Sequence, residues 1–456
     1  MTPRTDRLLR QLGVVSATAL VVSNMVGTGI FTSTGYLAGQ LGSPQIVLLI
    51  WAVGAVCALA GAFCYSELGV NFPSSGGEYV YLTEAFGPTW GFMTGWISFF
   101  AGFSAPIALA ALACSDYVGH FFPALKQENS AVIGGANWGI HVGPAQAVAC
   151  GLVAIFTILN CLGIRRTARI QNVLTATKVV VILAFISAGF AFGSGGWEHF
   201  SQAAVRTSTT PLFSQFVVSL VYIYVGYSGW NAATYVAEEV RQPARTLPLS
   251  LAWGTALVAA LFLGLNVLFI YAVPLESMKG VLAVGALAAS ALFGPAVAGL
   301  FSAAMALSLL ATVNAMVTIG PRVYYAMAKN GAFFAAAARV DPRWHTPVIA
   351  IVAQGVCTML MTFTPFLNLM FYVGFLLNFS AVMSVVSLMV FRRRKEWKQL
   401  PVVSFLYPAI PVLFVIVGIV ITIFGMTFKP EISLVAMLTV ATGALVYHFR
   451  LRTRRA

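Results

Sequence analysis

Two glycine-interrupted stretches, Gly27-Thr28-Gly29-Ile30 and Gly226-Tyr227-Ser228-Gly229-Trp230-Asn231, lie inside long apolar segments. A helix unwound in hydrocarbon exposes N–H and C=O groups, which is unfavourable unless other partners replace the lost helical bonds. A zwitterion supplies both kinds of partner. Half-helix N-termini present donors and partial positive charge to a carboxylate, while half-helix C-termini present carbonyls to an ammonium group. Gly27 and Gly29 permit unusual dihedrals and close ligand approach, and Thr28 adds a hydroxyl. Ser23 and Asn24 flank the first stretch, and Ser228 and Asn231 lie within the second. Glycines also serve close helix packing. Two interruptions in corresponding spans, each beside polar residues, favour a site that reads an amino-acid backbone rather than its side chain.

Lys178, in Thr175-Ala176-Thr177-Lys178-Val179-Val180-Val181-Ile182, is the other group with chemistry to offer inside an apolar run. An intramembrane lysine points to function; snorkelling to the surface is the alternative, since Arg169 lies only nine residues before it. Glu238 and Glu239 follow the second glycine stretch near Arg241 and Arg245 and are expected near Arg322, either as a solvated cluster or as an inner gate. Glu67 reads as an inner-face anchor in preference to a proton relay. His120, His141 and His199 are scattered without metal-ligand spacing, so neither a metal nor a cofactor is expected.

These residues need membrane-spanning helices to position them. At 456 residues, 59% hydrophobic, 9% charged and with mean hydropathy +0.88, the chain is too apolar for a soluble globular protein. Apolar runs of about 20 residues recur, each long enough to cross roughly 30 Å of hydrocarbon. They predict spans at 14–38, 44–71, 87–115, 145–164, 170–193, 212–237, 248–273, 294–326, 347–363, 366–391, 402–426 and 431–450. The eighth is longer than a bilayer requires, and Pro73-Ser74-Ser75-Gly76-Gly77-Glu78-Tyr79 breaks the chain before a short amphipathic stretch at the inner face. The net charge of +13 does not call for nucleic acid. Only Lys126, Arg206, Lys279 and Lys429 fall on one side and Lys178 within a span, leaving 21 of the 26 basic residues opposite. That asymmetry places both termini in the cytoplasm. Cys57, Cys64, Cys114, Cys150, Cys161 and Cys357 lie in or beside apolar runs, and the loop near 115–145 offers no thiol, so no disulfide-linked partner is expected. An intramembrane enzyme would need several ionisable groups at depth, and a channel repeated polar rings; neither pattern is present.

Val26-Gly27-Thr28-Gly29-Ile30-Phe31, the Pro73 to Tyr79 motif, and Gly229-Trp230-Asn231 followed by Val236-Ala237-Glu238-Glu239-Val240 and Pro243 through Pro248 resemble the amino acid–polyamine–organocation superfamily, especially its L-type amino acid transporter branch and the bacterial homologues of that branch. The resemblance implies an all-α fold of twelve transmembrane helices. Its core is a five-plus-five inverted repeat like that of the bacterial leucine transporter, with helices 1 and 6 unwound: residues 1–193, then 194–400, then two extra helices and a basic tail in 401–456. It implies that Met25, Gly27, Thr28, Gly29 and Ile30 receive the substrate carboxylate. Val225, Gly226 and Ser228 would face the ammonium group and side chain, and Trp230 and Asn231 would form a wall. Lys178 would fill the place of a sodium ion beside helix 8, with Ser308, one turn before Thr312, as its neighbour. Val225 departs from the family, which often carries an aromatic lid there; Tyr224 and Tyr227 are the candidate substitutes. The implied function is sodium-independent secondary transport of L-amino acids by alternating access, in the plasma membrane or a bacterial inner membrane. The uncharged Met25, Val225, Tyr227 and Trp230 favour neutral substrates, with cationic amino acids or polyamines the alternative.

Overall fold

A computed structural model of the chain describes residues 10, 12–74, 76–135, 139–162, 167–344, 346–404 and 406–451. Ser75 and the basic residues Arg4, Arg7, Arg165, Arg166, Arg452, Arg454 and Arg455 lie outside the described residues. The first apolar run gives α1 (Val14–Met25) and α2 (Thr28–Leu41), bent by 41° at the residues between them. Helix α3 (Pro44–Asn71) starts on a proline whose missing N–H would have had no helical acceptor. The short α4 (Glu78–Phe86) then leads to α5 (Pro88–Ile97) and α6 (Ala105–Val118), which a π-helical stretch, Ser98–Ser104, joins into one span.

The loop that follows carries a hairpin, β1 (Ala131–Ile133) paired antiparallel with β2 (Ile140–Val142), so the all-α expectation holds for the bundle and not for this loop. Next come α7 (Pro144–Cys161), α8 (Thr167–Phe192), α9 (Leu212–Tyr227) and α10 (Pro243–Ala272). After the short α11 (Leu275–Met278) and α12 (Val284–Phe293), α13 (Pro295–Lys329) runs 35 residues, matching the expectation of an over-long eighth span. The chain ends with α14 (Val348–Met361), α15 (Phe366–Phe391), α16 (Pro401–Ser404), α17 (Ala409–Phe428) and α18 (Pro430–Val446).

Among the described residues, nine helices are long and apolar enough to cross a bilayer, ten when α1 and α2 count as one broken span. The expected ninth span is the 14-residue α14, about 21 Å long against a core of roughly 30 Å. The apolar described part of α8, Ala176–Phe192, is also short.

Packing separates the helices into two groups. Helices α1 and α3 lie along α10, while α2 and α3 flank α9. Helices α6, α7 and α14 gather round α13. Apolar side chains that the bundle leaves exposed, such as Val56, Leu257, Leu307, Leu360, Ile416 and Leu438, suit contact with lipid tails. At one face, here termed the N-terminal face, Leu12 pairs with Val240 in an isolated parallel bridge. Helix α2 runs from its break to the opposite face, and α9 returns from there, so the two are antiparallel.

Candidate functional site

The first break is narrower than its glycines suggest. Helix α1 ends at Met25, only Val26 and Gly27 leave helical geometry, and Thr28, Gly29 and Ile30 already form the first turn of α2. Gly27 is extended at φ −123°, a region open to any residue. Gly29 is needed for a different reason: a Cβ there would stand 2.4 Å from Gly226 Cα. The break leaves the first N–H groups of α2 without helical acceptors, and no side chain caps them. These donors and the helix dipole face the same gap, which is what an anionic group requires.

The second break is displaced toward the N-terminal face. Gly226 and Tyr227 remain helical, and the chain unwinds over Ser228 to Asn231 before a 3-10 helix, Ala232–Glu239. The Ser228 N–H and hydroxyl both donate to the Val225 carbonyl, at 3.1 and 2.8 Å. The last carbonyls of α9, on Gly226 and Tyr227, lie beyond it. Gly229 has φ +98°, and a Cβ on it would meet the Asn24 carbonyl carbon at 2.8 Å. The two breaks therefore touch each other, Gly29 against Gly226 and Gly229 against Asn24. Behind Gly226, the Trp51 ring would lie 3.0 Å from a Cβ, and Trp51 Nε1 is buried without a hydrogen-bond partner.

Lys178 binds the break directly. It is 5% exposed, so it does not snorkel. Its Nζ donates to the Val26 carbonyl at 2.6 Å and to Thr312 Oγ1 at 3.4 Å. Thr312 in turn donates to the Ser308 carbonyl at 3.1 Å. Ser308 is thus a second neighbour, and the direct side-chain partner on α13 is Thr312. The ammonium sits where a carbonyl at a half-helix C-terminus would otherwise call for a cation.

The remaining expected residues fall in several places. Met25 is buried at the end of α1, and the Gly27 N–H donates to its carbonyl at 2.8 Å. Trp230 packs edge-on against Tyr65 of α3 and Phe414 of α17. Tyr224 and Tyr227, the candidate lids, donate their hydroxyls to the Leu377 and Trp51 carbonyls. Arg322 is exposed on α13, and no ion pair joining it to Glu238 or Glu239 is found among the described residues. Near these carboxylates the N-terminal face is joined through backbone. Leu12 N–H donates to the Glu239 carbonyl and Arg241 N–H to the Leu12 carbonyl, at 2.9 and 2.8 Å.

Two acidic groups carry more than the sequence suggests. Glu67 is fully buried and paired with Arg392 through both guanidinium nitrogens, at 2.7 and 2.6 Å, and it also accepts from Trp397 Nε1 and the Leu400 N–H. This fully satisfied pair anchors the end of α3 to the end of α15, as the anchor reading expects. Glu78, read only as part of an interfacial stretch, is buried, and its Oε1 accepts from Tyr65 at 2.7 Å and from Asn231 at 3.2 Å. Burial pushes its carboxyl above the usual range, and those two hydrogen bonds oppose the rise. Its proximity to the second break depends on tertiary packing, since Asn231 is 153 residues away.

A family model described as amino acid permease matches residues 12–446. The chain is 28% identical over 446 residues to the large neutral amino acids transporter small subunit 2 of Mus musculus, covering 96% of this chain and 81% of the relative. It is 27% identical over 458 residues to the b(0,+)-type amino acid transporter 1 of Homo sapiens, covering 98% and 88%. The Asc-type amino acid transporter 1 of Mus musculus is 26% identical over 450 residues, covering 96% and 81%.

Proposed function

Because the chain belongs to the amino acid permease family, we propose that it moves L-amino acids across a membrane by alternating access, without sodium, and that neutral side chains are preferred. The observation that carries this reading is the meeting of two broken helices, one offering uncapped N–H groups and the other terminal carbonyls, with Lys178 on the Val26 carbonyl of the first. Donors for a carboxylate and acceptors for an ammonium group then lie within one small volume. In this reading Met25, Gly27, Thr28, Gly29 and Ile30 receive the carboxylate, and Val225, Gly226 and Ser228 the rest of the substrate. Trp230 and Asn231 support the second break from the N-terminal face. Lys178 with Thr312 and Ser308 takes the place of a sodium ion.

The architecture proposed for this task has twelve spans, with α8 and α14 completing the ten. Residues 1–193 and 194–400 are inverted repeats and 401–456 an addition. The bend between α1 and α2 and the break after α9 support it. The basic asymmetry favours a cytoplasmic N-terminal face in a plasma membrane or bacterial inner membrane. Glu238, Glu239 and Arg322 would form their gate in a state other than this one. The six cysteines lie on helices and not on the loop after α6, and the reading includes no disulfide-linked partner.

The names of the relatives, one of them a large neutral amino acids transporter, support a neutral substrate. Cationic amino acids are the second reading. A test of the zwitterion site is competition against uptake of a labelled neutral amino acid. The free amino acid is expected to compete, and its N-acetyl and methyl-ester derivatives to fail. Equal competition by either derivative would contradict a site built on both charges.

A further inference from the structure

The aromatic bulk missing at Val225 is present one turn away. Tyr222 of α9 and Tyr36 of α2 meet with ring centroids 4.3 Å apart at 43°. Tyr222 is 1% exposed and is backed by Phe371 of α15, with centroids 5.9 Å apart. On α2, Gly29, Ser33 and Tyr36 follow the i, i+4, i+7 spacing of a single stripe. On α9, Tyr222 precedes Gly226 by four residues. Since the helices are antiparallel, the tyrosine pair lies on the opposite-face side of the Gly29 and Gly226 contact.

Gly374 of α15 packs on this stretch of α9, where an added Cβ would press on Val221 and lie 3.0 Å from Val225 Cγ2. Ser33, fully buried on the stripe, has a hydroxyl with no hydrogen-bond partner among the described residues. Beyond the pair opens a polar cavity of about 220 Å³, whose lining includes Tyr36, Gln40, Thr207, Gln215 and Lys429. Tyr36 both lines the cavity and packs on Tyr222.

We infer that Tyr36 and Tyr222 form the lid that closes the substrate site toward the opposite face, in place of a side chain at Val225. The polar cavity is the antechamber from which substrate enters, and Ser33 is a polar group left free beneath the lid. Placing the aromatic layer three residues further out leaves about 4.5 Å more height above the breaks, which suits a neutral substrate with a large side chain. This inference rests on the transport reading above and specifies its gate and size selectivity.

The test compares amino-acid uptake into intact cells with uptake into everted vesicles, for the unmodified protein, Tyr36→Ala, Tyr222→Ala, and the Phe variants of both. Each Ala variant is expected to raise KM from the cavity face by roughly three- to tenfold, the scale of one aromatic pair. KM from the other face should be unchanged, and the Phe variants, which keep the rings, should raise KM from the cavity face less than the Ala variants do. A general folding defect would lower Vmax from both faces and leave the sidedness intact. Substrate-induced thermal stabilisation of the purified variants gives a second readout that does not require transport, and it should weaken more in the Ala variants than in the Phe variants. If the unmodified protein transports and the Ala variants keep both KM values and the thermal shift, the lid is refuted while the transport reading stands. If the unmodified protein neither binds nor moves any amino acid, both are refuted.

Discussion

Lys178 and Glu78 show how much one buried polar group does in this fold. Lys178 closes the carbonyl end of α1 and reaches α13 through Thr312. Lys178→Ala removes a charged donor worth about 1.5–3 kcal/mol and leaves the Val26 carbonyl open. Uptake is expected to fall at least tenfold, with added sodium failing to restore it; uptake equal to the unmodified protein would remove Lys178 from the mechanism. Glu78 predicts a pH effect. Its folded-state proton affinity is raised by burial, so the folded protein binds protons more tightly than the unfolded chain. This contribution is most favourable below the ordinary value of 4.5 and is lost as pH rises through the folded value. Glu78→Gln should therefore flatten the decline of the thermal midpoint as pH rises above 4.5 in detergent. Identical slopes would contradict the assignment.

At the scale of elements, the glycines divide into two jobs that a sequence cannot distinguish. Gly229 is required by its backbone, with φ +98° and Asn24 against it. Gly29 is helical and is required by the backbone of another helix. Gly29→Ala would push a methyl group into Gly226 Cα, which cannot swing aside, so a loss of roughly 1–3 kcal/mol is expected together with loss of uptake. Gly151→Ala on α7, where nothing lies within 4 Å of the new Cβ, should leave the thermal midpoint level or raise it. Equal behaviour of the two variants would refute the packing role. The same ambiguity explains what was legible beforehand. Long apolar runs located the nine long apolar helices among the described residues because length against the bilayer decides them, and the glycine stretches located both interruptions to within a few residues. Which residues actually unwind depends on who packs against whom. The pairing of Tyr36 with Tyr222 and of Glu78 with Asn231 joins segments far apart in the chain, and no local pattern announces such contacts. The hairpin at Ala131 and Ile140 was missed because its strands are three residues each and exposed.

For the whole molecule, both breaks lie in the helix group built on α3, α9 and α10, and the Glu67 and Arg392 pair ties α3 to the end of α15 at the N-terminal face. Breaking a buried pair on one side leaves an uncompensated charge, so Arg392→Met should destabilise the protein by about 3–5 kcal/mol. The double variant with Glu67→Gln should recover part of that loss in a thermal melt, whereas an additive double variant would mean the pair does not act as a unit. In the proposed transporter, two broken helices read an amino-acid backbone and an ammonium group stands in for sodium. Uptake of labelled neutral amino acids into liposomes containing only this protein, with and without a sodium gradient and with substrate loaded inside, tests that most directly. The predicted result is saturable uptake that is unchanged by removing sodium. Absence of uptake for every amino acid tried, or uptake that appears only with a sodium gradient, would contradict it.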